Sequence, residues 1–197
     1  MNDTLRPDLA VIANHIPTGS RVLDVGCGEG ELMAVLSHGD KVDVRGIEID
    51  PEEVERAVSR GLSVMQGDAN RDLAAYPDDA FDYAVLSQTL QTAERPDLML
   101  DELLRIGRKA FVSFPNFAHW RMRWALVTTG RMPVTRHLPV TWYETQNIHH
   151  VTVNDFREML RKKGVAIERS WFFSGQHEIS ARCSNWRAEY AVYLLSR

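Results

Sequence analysis

The sequence predicts an α/β protein whose helices cover a mostly parallel β-sheet, and three observations carry that prediction. Short apolar runs of strand length alternate with amphipathic stretches of helical spacing as far as residue 114, which is the pattern of βαβ units joined by right-handed crossovers. The run Val22-Leu-Asp-Val-Gly-Cys-Gly-Glu-Gly30 reads as a buried strand turning sharply into a helix. Residues 42–49 have strand composition and carry Glu48 twenty positions past Gly28, where a nucleotide-binding βαβ unit places an acid for the ribose.

Taken in order, residues 5–16 place Leu5, Leu9, Ile12, Ala13 and Ile16 at helical spacing, and Pro17-Thr-Gly19 turns the chain into the first strand. That first helix is expected to cover the ligand end of the sheet. In the turn after the strand, Gly26 and Gly28 lack a Cβ, so the loop can take φ > 0 and admit a ligand to the main chain. Gly30 lets the next helix start close against the strand, with its unpaired N–H groups facing the ligand. The spacing G-x-G-x-G differs from the G-x-G-x-x-G of dinucleotide folds and lacks the Lys-Ser/Thr of a P-loop, which counts against nicotinamide and nucleoside triphosphates. Leu32, Val35 and Leu36 predict the apolar face of the next helix, ended by Gly39-Asp40. Asp50-Pro-Glu-Glu53 predicts a capped helix start with acids at the positive end of the dipole, and Gly61 its stop. Residues 63–68 form a third short strand closing in Gly67-Asp68, Pro77-Asp-Asp79 is a surface turn, and residues 81–87 are a central buried strand. From Pro96, the residues Leu98, Met99, Leu103, Leu104 and Ile106 trace a helix stopped by Gly107, and Ala110-Phe-Val-Ser-Phe114 is strand five. Thr152 opens another capped helix that ends at Gly164, and residues 165–173 and 190–195 are the last strands.

A chain of 197 residues with 44% hydrophobic content can bury one substantial core, so a single domain over 1–197 is expected. Cys27 and Cys183 lie far apart, with no CxxC and no matching histidine spacing, which gives neither a disulfide framework nor a zinc site and fits a reducing cytosol. No apolar run approaches a membrane span and the first seven residues are too polar for a signal peptide, so a cytoplasmic location is expected. The net charge of −4 conceals an asymmetry. Between Glu102 and Glu144 there is no acid, while Arg105, Arg108, Lys109, Arg121, Arg123, Arg131 and Arg136 fall inside that span, which predicts a basic side. Residues 115–150 are too long and too aromatic for a routine connection and predict a lid or an interaction surface over the carboxyl end of the sheet. His119, His149 and His150 lack a spaced carboxylate, so no metal site is predicted.

With Asp24 ahead of its glycines, the segment from Val22 to Gly30 resembles motif I of the class I S-adenosylmethionine-dependent methyltransferases, and Phe-Asp-x-x-x-x-Ser at 81–87 is similar to their fourth strand. The resemblance implies a Rossmann-like domain with a seven-stranded, mostly parallel sheet. It also implies S-adenosylmethionine or S-adenosylhomocysteine on Asp24, Gly26, Cys27, Gly28, Gly30, Glu48, Ile49, Asp68, Ala69 and Ser87. Glu48 would take the ribose hydroxyls, with a solvated acid at a strand end as the alternative. Asp68 and the Ala69 backbone would meet the adenine, with a helix cap as the alternative for Asp68. Methyl transfer from a sulfonium needs in-line geometry and often little acid–base help. The place of an Asn/Asp-Pro-Pro-aromatic motif holds Ser87-Gln-Thr-Leu-Gln91, Pro115-Asn116 follows the wrong strand for that role, and there is no Pro-Cys nucleophile pair. Many small-molecule methyltransferases carry a histidine near position 91, where Gln91 cannot act as a general base. His119, His149 and His150 remain as possible bases, with His119 and His149 the catalytic candidates.

Nearly the whole chain also resembles the methionine biosynthesis protein MetW family. The resemblance rests on Arg6-Pro-Asp8, Gly19-Ser-Arg-Val-Leu-Asp24, Leu86-Ser-Gln-Thr-Leu-Gln91, Ser113-Phe-Pro-Asn-Phe-Ala-His-Trp-Arg121, Gly130-Arg-Met-Pro-Val-Thr135, and Trp142-Tyr143 with Asn147-Ile-His149. It implies a methyltransferase-like protein of bacterial methionine synthesis that works beside the homoserine O-acyltransferase MetX as a partner needed for its activity. Arginine and tryptophan anchor interfaces, so Trp120, Arg121, Arg123 and Trp124 are the expected contact. The alternative is an active methyltransferase on a small metabolite, with the lid enclosing the acceptor and His119 or His149 assisting. An RNA methylase would need a cationic groove with stacking aromatics, and the net acidity argues against it.

Overall fold

The computed structural model describes residues 5–38, 42–134 and 141–197. The expected helix stop at Gly39-Asp40, and Arg136 of the acid-free span, lie outside the described residues.

The elements run α1 (Pro7–His15), β1 (Arg21–Val25), α2 (Glu31–Leu36), β2 (Asp43–Glu48), α3 (Pro51–Ser59), β3 (Val64–Gln66), α4 (Ala69–Asp72), β4 (Phe81–Ser87), α5 (Pro96–Ile106) and β5 (Gly107–Pro115). The second half adds α6 (Trp120–Thr129), α7 (Val153–Lys163), β6 (Ala166–Ser174), β7 (His177–Ile179), α8 (Ser184–Arg187) and β8 (Tyr190–Ser196). Local chemistry sets the boundaries. The Asp50 side chain accepts from the Glu52 N–H at the start of α3, and Thr152 accepts from the Asp155 N–H at the start of α7. Gly164 closes α7 with φ 69°.

The strands form one eight-stranded sheet in the order β3-β2-β1-β4-β5-β8-β6-β7. Strands β1 to β5 are mutually parallel, and β8 inserts antiparallel between β5 and β6. Because β1 is flanked by β2 on one side and β4 on the other, the strand order reverses at its carboxyl end, where such sheets open a crevice for ligands. Side chains alternate between two cores. Leu23, Ala84, Leu86, Ala110, Val112 and Phe114 meet α5 and α7 on one face. Val22, Val44, Val85, Phe111 and Val192 meet α1 and α2 on the other.

Four details depart from expectation. The sheet has eight strands rather than seven, because the chain after β6 turns back at Gly175 and adds the three-residue β7. In α2 the buried residues are Leu32, Met33 and Leu36, while Val35 is 44% exposed. In α5 Leu98 is half exposed and Leu100 lies in the core in its place. Gly107 both ends α5 and begins β5, with no intervening loop; a Cβ there would stand 2.8 Å from the Ala84 nitrogen, so only glycine lets β5 lie against β4 at that point. Among the described residues no helix is long and apolar enough to cross a membrane.

Candidate functional site

The chain leaves β1 through glycines at φ 69° (Gly26), 54° (Gly28) and 80° (Gly30). Two of them are packing glycines. A Cβ on Gly26 would stand 2.6 Å from Thr89 Oγ1, and one on Gly30 would run into the Leu62 side chain. Gly28 differs, since an added Cβ would meet nothing within 4 Å. It faces a cleft of about 400 Å³ whose wall includes Asp24, Gly26, Cys27, Gly28 and Ser87, together with Arg6, Gln88 and Thr89 from outside the motif. Burial, with the Asp24 and Glu48 carboxylates nearby, pushes the Cys27 thiol up, so it serves as a neutral wall residue.

Three carboxylates stand in sequence along the strand ends. Asp24, on β1, is 3% exposed, and burial pushes its carboxyl up to about 7; Arg6 pulls it down, while Glu48 raises it further. Glu48, at the end of β2, accepts three backbone N–H groups: Ile49 at 2.8 Å and Asp50 at 3.0 Å on Oε1, and Gly28 at 2.9 Å on Oε2. A carboxylate has about four acceptor positions, so one on Oε2 stays open. The bond from Gly28 ties the glycine turn to the end of β2. Asp68 follows β3 and caps α4, with Oδ1 accepting from the Asn70 N–H at 3.0 Å and Nδ2 at 2.9 Å, and Arg71 standing 3.6 Å from Oδ2. Its capping role is therefore observed. Ala69 starts that helix, and Ile49, 63% exposed, flanks Glu48. The sites read from the sequence thus lie along adjacent strand ends; Asp24, Gly26, Cys27, Gly28 and Ser87 wall the glycine cleft, while Gly30, Glu48, Ile49, Asp68 and Ala69 stand outside its walls.

A second cavity, of about 700 Å³, adjoins the first and shares Arg6 and Gln88 with it. Beneath both lies Asp8, 1% exposed, whose Oδ2 accepts from Ser87 Oγ at 3.2 Å, Ser113 Oγ at 3.2 Å and Gln88 Nε2 at 3.3 Å. Arg6 lies over it, with Nε 3.5 Å from Asp8 Oδ1 and Nη2 donating to Ser87 Oγ. Sequence reasoning assigned no role to Arg6, Asp8, Gln88 or Ser113. The available signal was Asp8 itself, an acid one residue before Leu9 and four before Ile12, and so on the apolar stripe of its helix.

The candidate bases separate. His119 is 5% exposed, precedes α6 and lines the second cavity. His149 lies elsewhere, with its Nε2 3.4 Å from the Glu94 carbonyl oxygen. Gln91 is buried: its Nε2 donates to the Gln88 carbonyl at 2.6 Å, and its own carbonyl accepts the N–H groups of Ile148 and His149. The position that could have held a base instead ties down the stretch before α7. In α6 only Met122 is buried, while Trp124 is 66% and Val127 82% exposed. The guanidinium of Arg121 lies 5.3 Å from the Trp120 ring centroid. Arg123 is braced, donating to the Ala118 carbonyl at 2.7 Å and stacking on Trp186. Among the described residues no group of three or more His, Cys, Asp or Glu could hold a metal ion.

Comparison with solved structures gives the same fold. A SAM-dependent methyltransferase from Archaeoglobus fulgidus superposes with a TM-score of 0.71 at 16% identity, covering 96% of this chain and 91% of that one. An S-adenosylmethionine-dependent methyltransferase from Mesorhizobium loti superposes with a TM-score of 0.70 at 19% identity, covering 98% and 99%. In sequence, the chain is 35% identical over 206 aligned residues to the bifunctional methionine biosynthesis protein MetXA/MetW of Rhodopirellula baltica, an alignment covering 98% of this chain and 33% of that protein. The chain thus spans about a third of that relative's length. The family model described as methionine biosynthesis protein MetW matches residues 6–195. With the sheet, the glycine turn and nearly the full length accounted for, the chain belongs to the MetW family of methionine biosynthesis proteins.

Proposed function

We propose that this chain binds S-adenosylmethionine or S-adenosylhomocysteine in the glycine cleft and acts as a partner and activator of homoserine O-acyltransferase. The observation that carries the partnership is the Rhodopirellula baltica relative, whose name joins MetXA to MetW in one chain. Covalent linkage holds two partners at high effective concentration; a separate chain needs a docking surface instead. Helix α6 suits that task, because it exposes Trp124, Val127 and Leu126 and carries Arg121 with no acid in its first turn. Arg123, braced against Ala118 and Trp186, would hold that surface rigid. In this reading 1–197 is one methyltransferase-like domain of the cytoplasm, with 115–150 as its interaction segment.

The residues of the cleft and of the strand ends beside it fit such a cofactor. The space above Gly28 is open, Glu48 keeps one acceptor for a ribose hydroxyl, and the buried Asp24 suits a cationic methionyl end. Ile49, Asp68 and Ala69 would bound the adenine, with Asp68 offering the oxygen that Asn70 does not use. When bound, the cofactor supplies an electrophilic methyl group; the chain's own part is to bind and orient it.

The test is homoserine acyl transfer by the partner from the same organism, alone and with this chain, with and without S-adenosylmethionine. Activity is expected to depend on the chain. Trp124→Ala should weaken that activation at least tenfold with an unchanged melting midpoint, since an exposed side chain contributes within about 0.5 kcal/mol to stability. Activity indifferent to the chain would overturn the reading. A second reading, methyl transfer to a small metabolite, is favoured by one observation: the buried His119 lines the cavity adjoining the cofactor cleft. It requires methyl transfer into metabolite extracts that is lost in His119→Gln.

A further inference from the structure

The larger cavity has a lining of which the partner reading uses only Arg121. Its volume of about 700 Å³ falls within the range of small-molecule sites. Two arginines reach it, Arg6 and Arg121, and so do two carboxylate residues, Asp8 and Glu189. Asp8 Oδ2 is committed to the network beneath, its Oδ1 faces Arg6 Nε at 3.5 Å, and Glu189 Oε2 accepts the Gly175 N–H at 3.0 Å. The lining is therefore mixed in sign, which suits a ligand carrying both charges better than a simple anion or a simple amine.

Gln88 gives the cavity a direction. Its backbone stands at φ 52°, in the left-handed region that costs a side-chain-bearing residue free energy and is concentrated at functional sites. That conformation is held by the Gln88 N–H, which donates to the Ser113 carbonyl at 2.9 Å and to Ser113 Oγ at 3.1 Å. The carboxamide is oriented as well. A carboxylate only accepts, so the NH₂ group must face Asp8, and Oε1 is turned away from it. Oε1 takes no hydrogen bond from the described residues. Gln88 and Arg6 line both cavities, so the end of the amide that Asp8 does not hold belongs to a residue at their junction.

We propose that this cavity is a second ligand site, for a small zwitterionic α-amino acid. Arg121 and Arg6 take the carboxylate, and Gln88 Oε1 accepts from the ammonium. The assignment does not depend on whether the chain activates an acyltransferase or transfers a methyl group. Because Arg6 and Gln88 also wall the cofactor cleft, the amino acid would sit beside the cofactor rather than in its place.

The experiment is calorimetric titration of the full chain, saturated with S-adenosylhomocysteine, with L-alanine, L-homoserine and L-methionine, each also as its N-acetyl derivative and its amide. At least one free amino acid is expected to bind, with both blocked forms weaker by about tenfold or more, the usual effect of losing a charge-assisted hydrogen bond. Arg121→Gln, at an exposed position, should weaken the amino acid about tenfold and leave S-adenosylhomocysteine affinity unchanged, since Arg121 lines only the larger cavity. Gln88→Leu should erase the preference for the free amine over the N-acetyl form. No binding by any probe at about 10 mM, tenfold above a millimolar dissociation constant, would overturn the proposal. So would equal binding of the blocked forms, or binding abolished by S-adenosylhomocysteine, which would place the amino acid in the cofactor cleft. If S-adenosylhomocysteine itself fails to bind, the cofactor reading falls, and the same titrations without it still decide the amino-acid site.

Discussion

Replacing Asp24 by asparagine should remove a pH dependence that the native chain is built to show. Burial pushes the Asp24 carboxyl up to about 7, so in the free protein it is half protonated near neutrality. A cationic methionyl end bound against it favours the ionised form, and binding must then expel the proton. With the ionised form as the binding state, affinity falls by a factor of 1 + 10^(7−pH), which is about twofold at pH 7 and about elevenfold at pH 6, with a plateau above about pH 8. Stability runs the other way. The folded carboxyl titrates above its ordinary value of 3.8, so between about pH 4 and 7 the folded state holds a proton that the unfolded state releases. The contribution of Asp24 to stability therefore declines as pH rises through that window and is flat above it. The assay is calorimetric titration of S-adenosylmethionine from pH 5.5 to 8.5 in buffers of different ionisation enthalpy, on the native chain and on Asp24→Asn. The difference between the two isolates Asp24 from titration of the ligand itself. Native affinity that does not change between pH 6 and 8, or a slope that survives in Asp24→Asn, would refute the reasoning.

Two further comparisons test the geometry of the turn and its acids. Gly26→Ala should lower the urea midpoint more than Gly28→Ala: both incur about 1 kcal/mol for a Cβ in the left-handed region, but only the Gly26 methyl collides with Thr89, adding about 1–3 kcal/mol of overpacking. Equal midpoints would mean that Thr89 yields freely. Glu48→Gln should destabilise by about 2–3 kcal/mol, because its amide NH₂ must face one of the three backbone N–H groups that the carboxylate accepts. Asp68→Asn should be nearly neutral in the same melt, since asparagine caps a helix as well as aspartate does. A neutral Glu48→Gln would show that those hydrogen bonds carry little stability.

What was legible in the sequence was whatever a few neighbouring residues decide. The strand, the glycine turn, the acid on β2 and the caps at Asp50 and Thr152 each rest on local backbone chemistry, and each is found where the residues put it. Helix phase was legible in part: the six residues of α2 are too few to distinguish Met33 from Val35 as the buried position, and in the eleven of α5 the run of apolar residues from Leu98 to Leu100 hides which of the two is buried. The three-residue β7 carries no periodic signal at all. The second cavity was illegible for a different reason. Asp8 and Ser113 are 105 positions apart, and only the docking of α1 across the ends of β4 and β5 brings them together. Gln91 was read as a missing base, which says what it cannot do; its task, holding Ile148 and His149 through its carbonyl, belongs to the backbone and needs no particular side chain. Gln88 is the opposite case. Glycine would satisfy its φ of 52° without strain, so the turn alone does not call for glutamine. The chain tolerates a left-handed side chain there and holds its amide NH₂ on a buried aspartate, which leaves the amide oxygen of a cavity-lining residue unused by the fold.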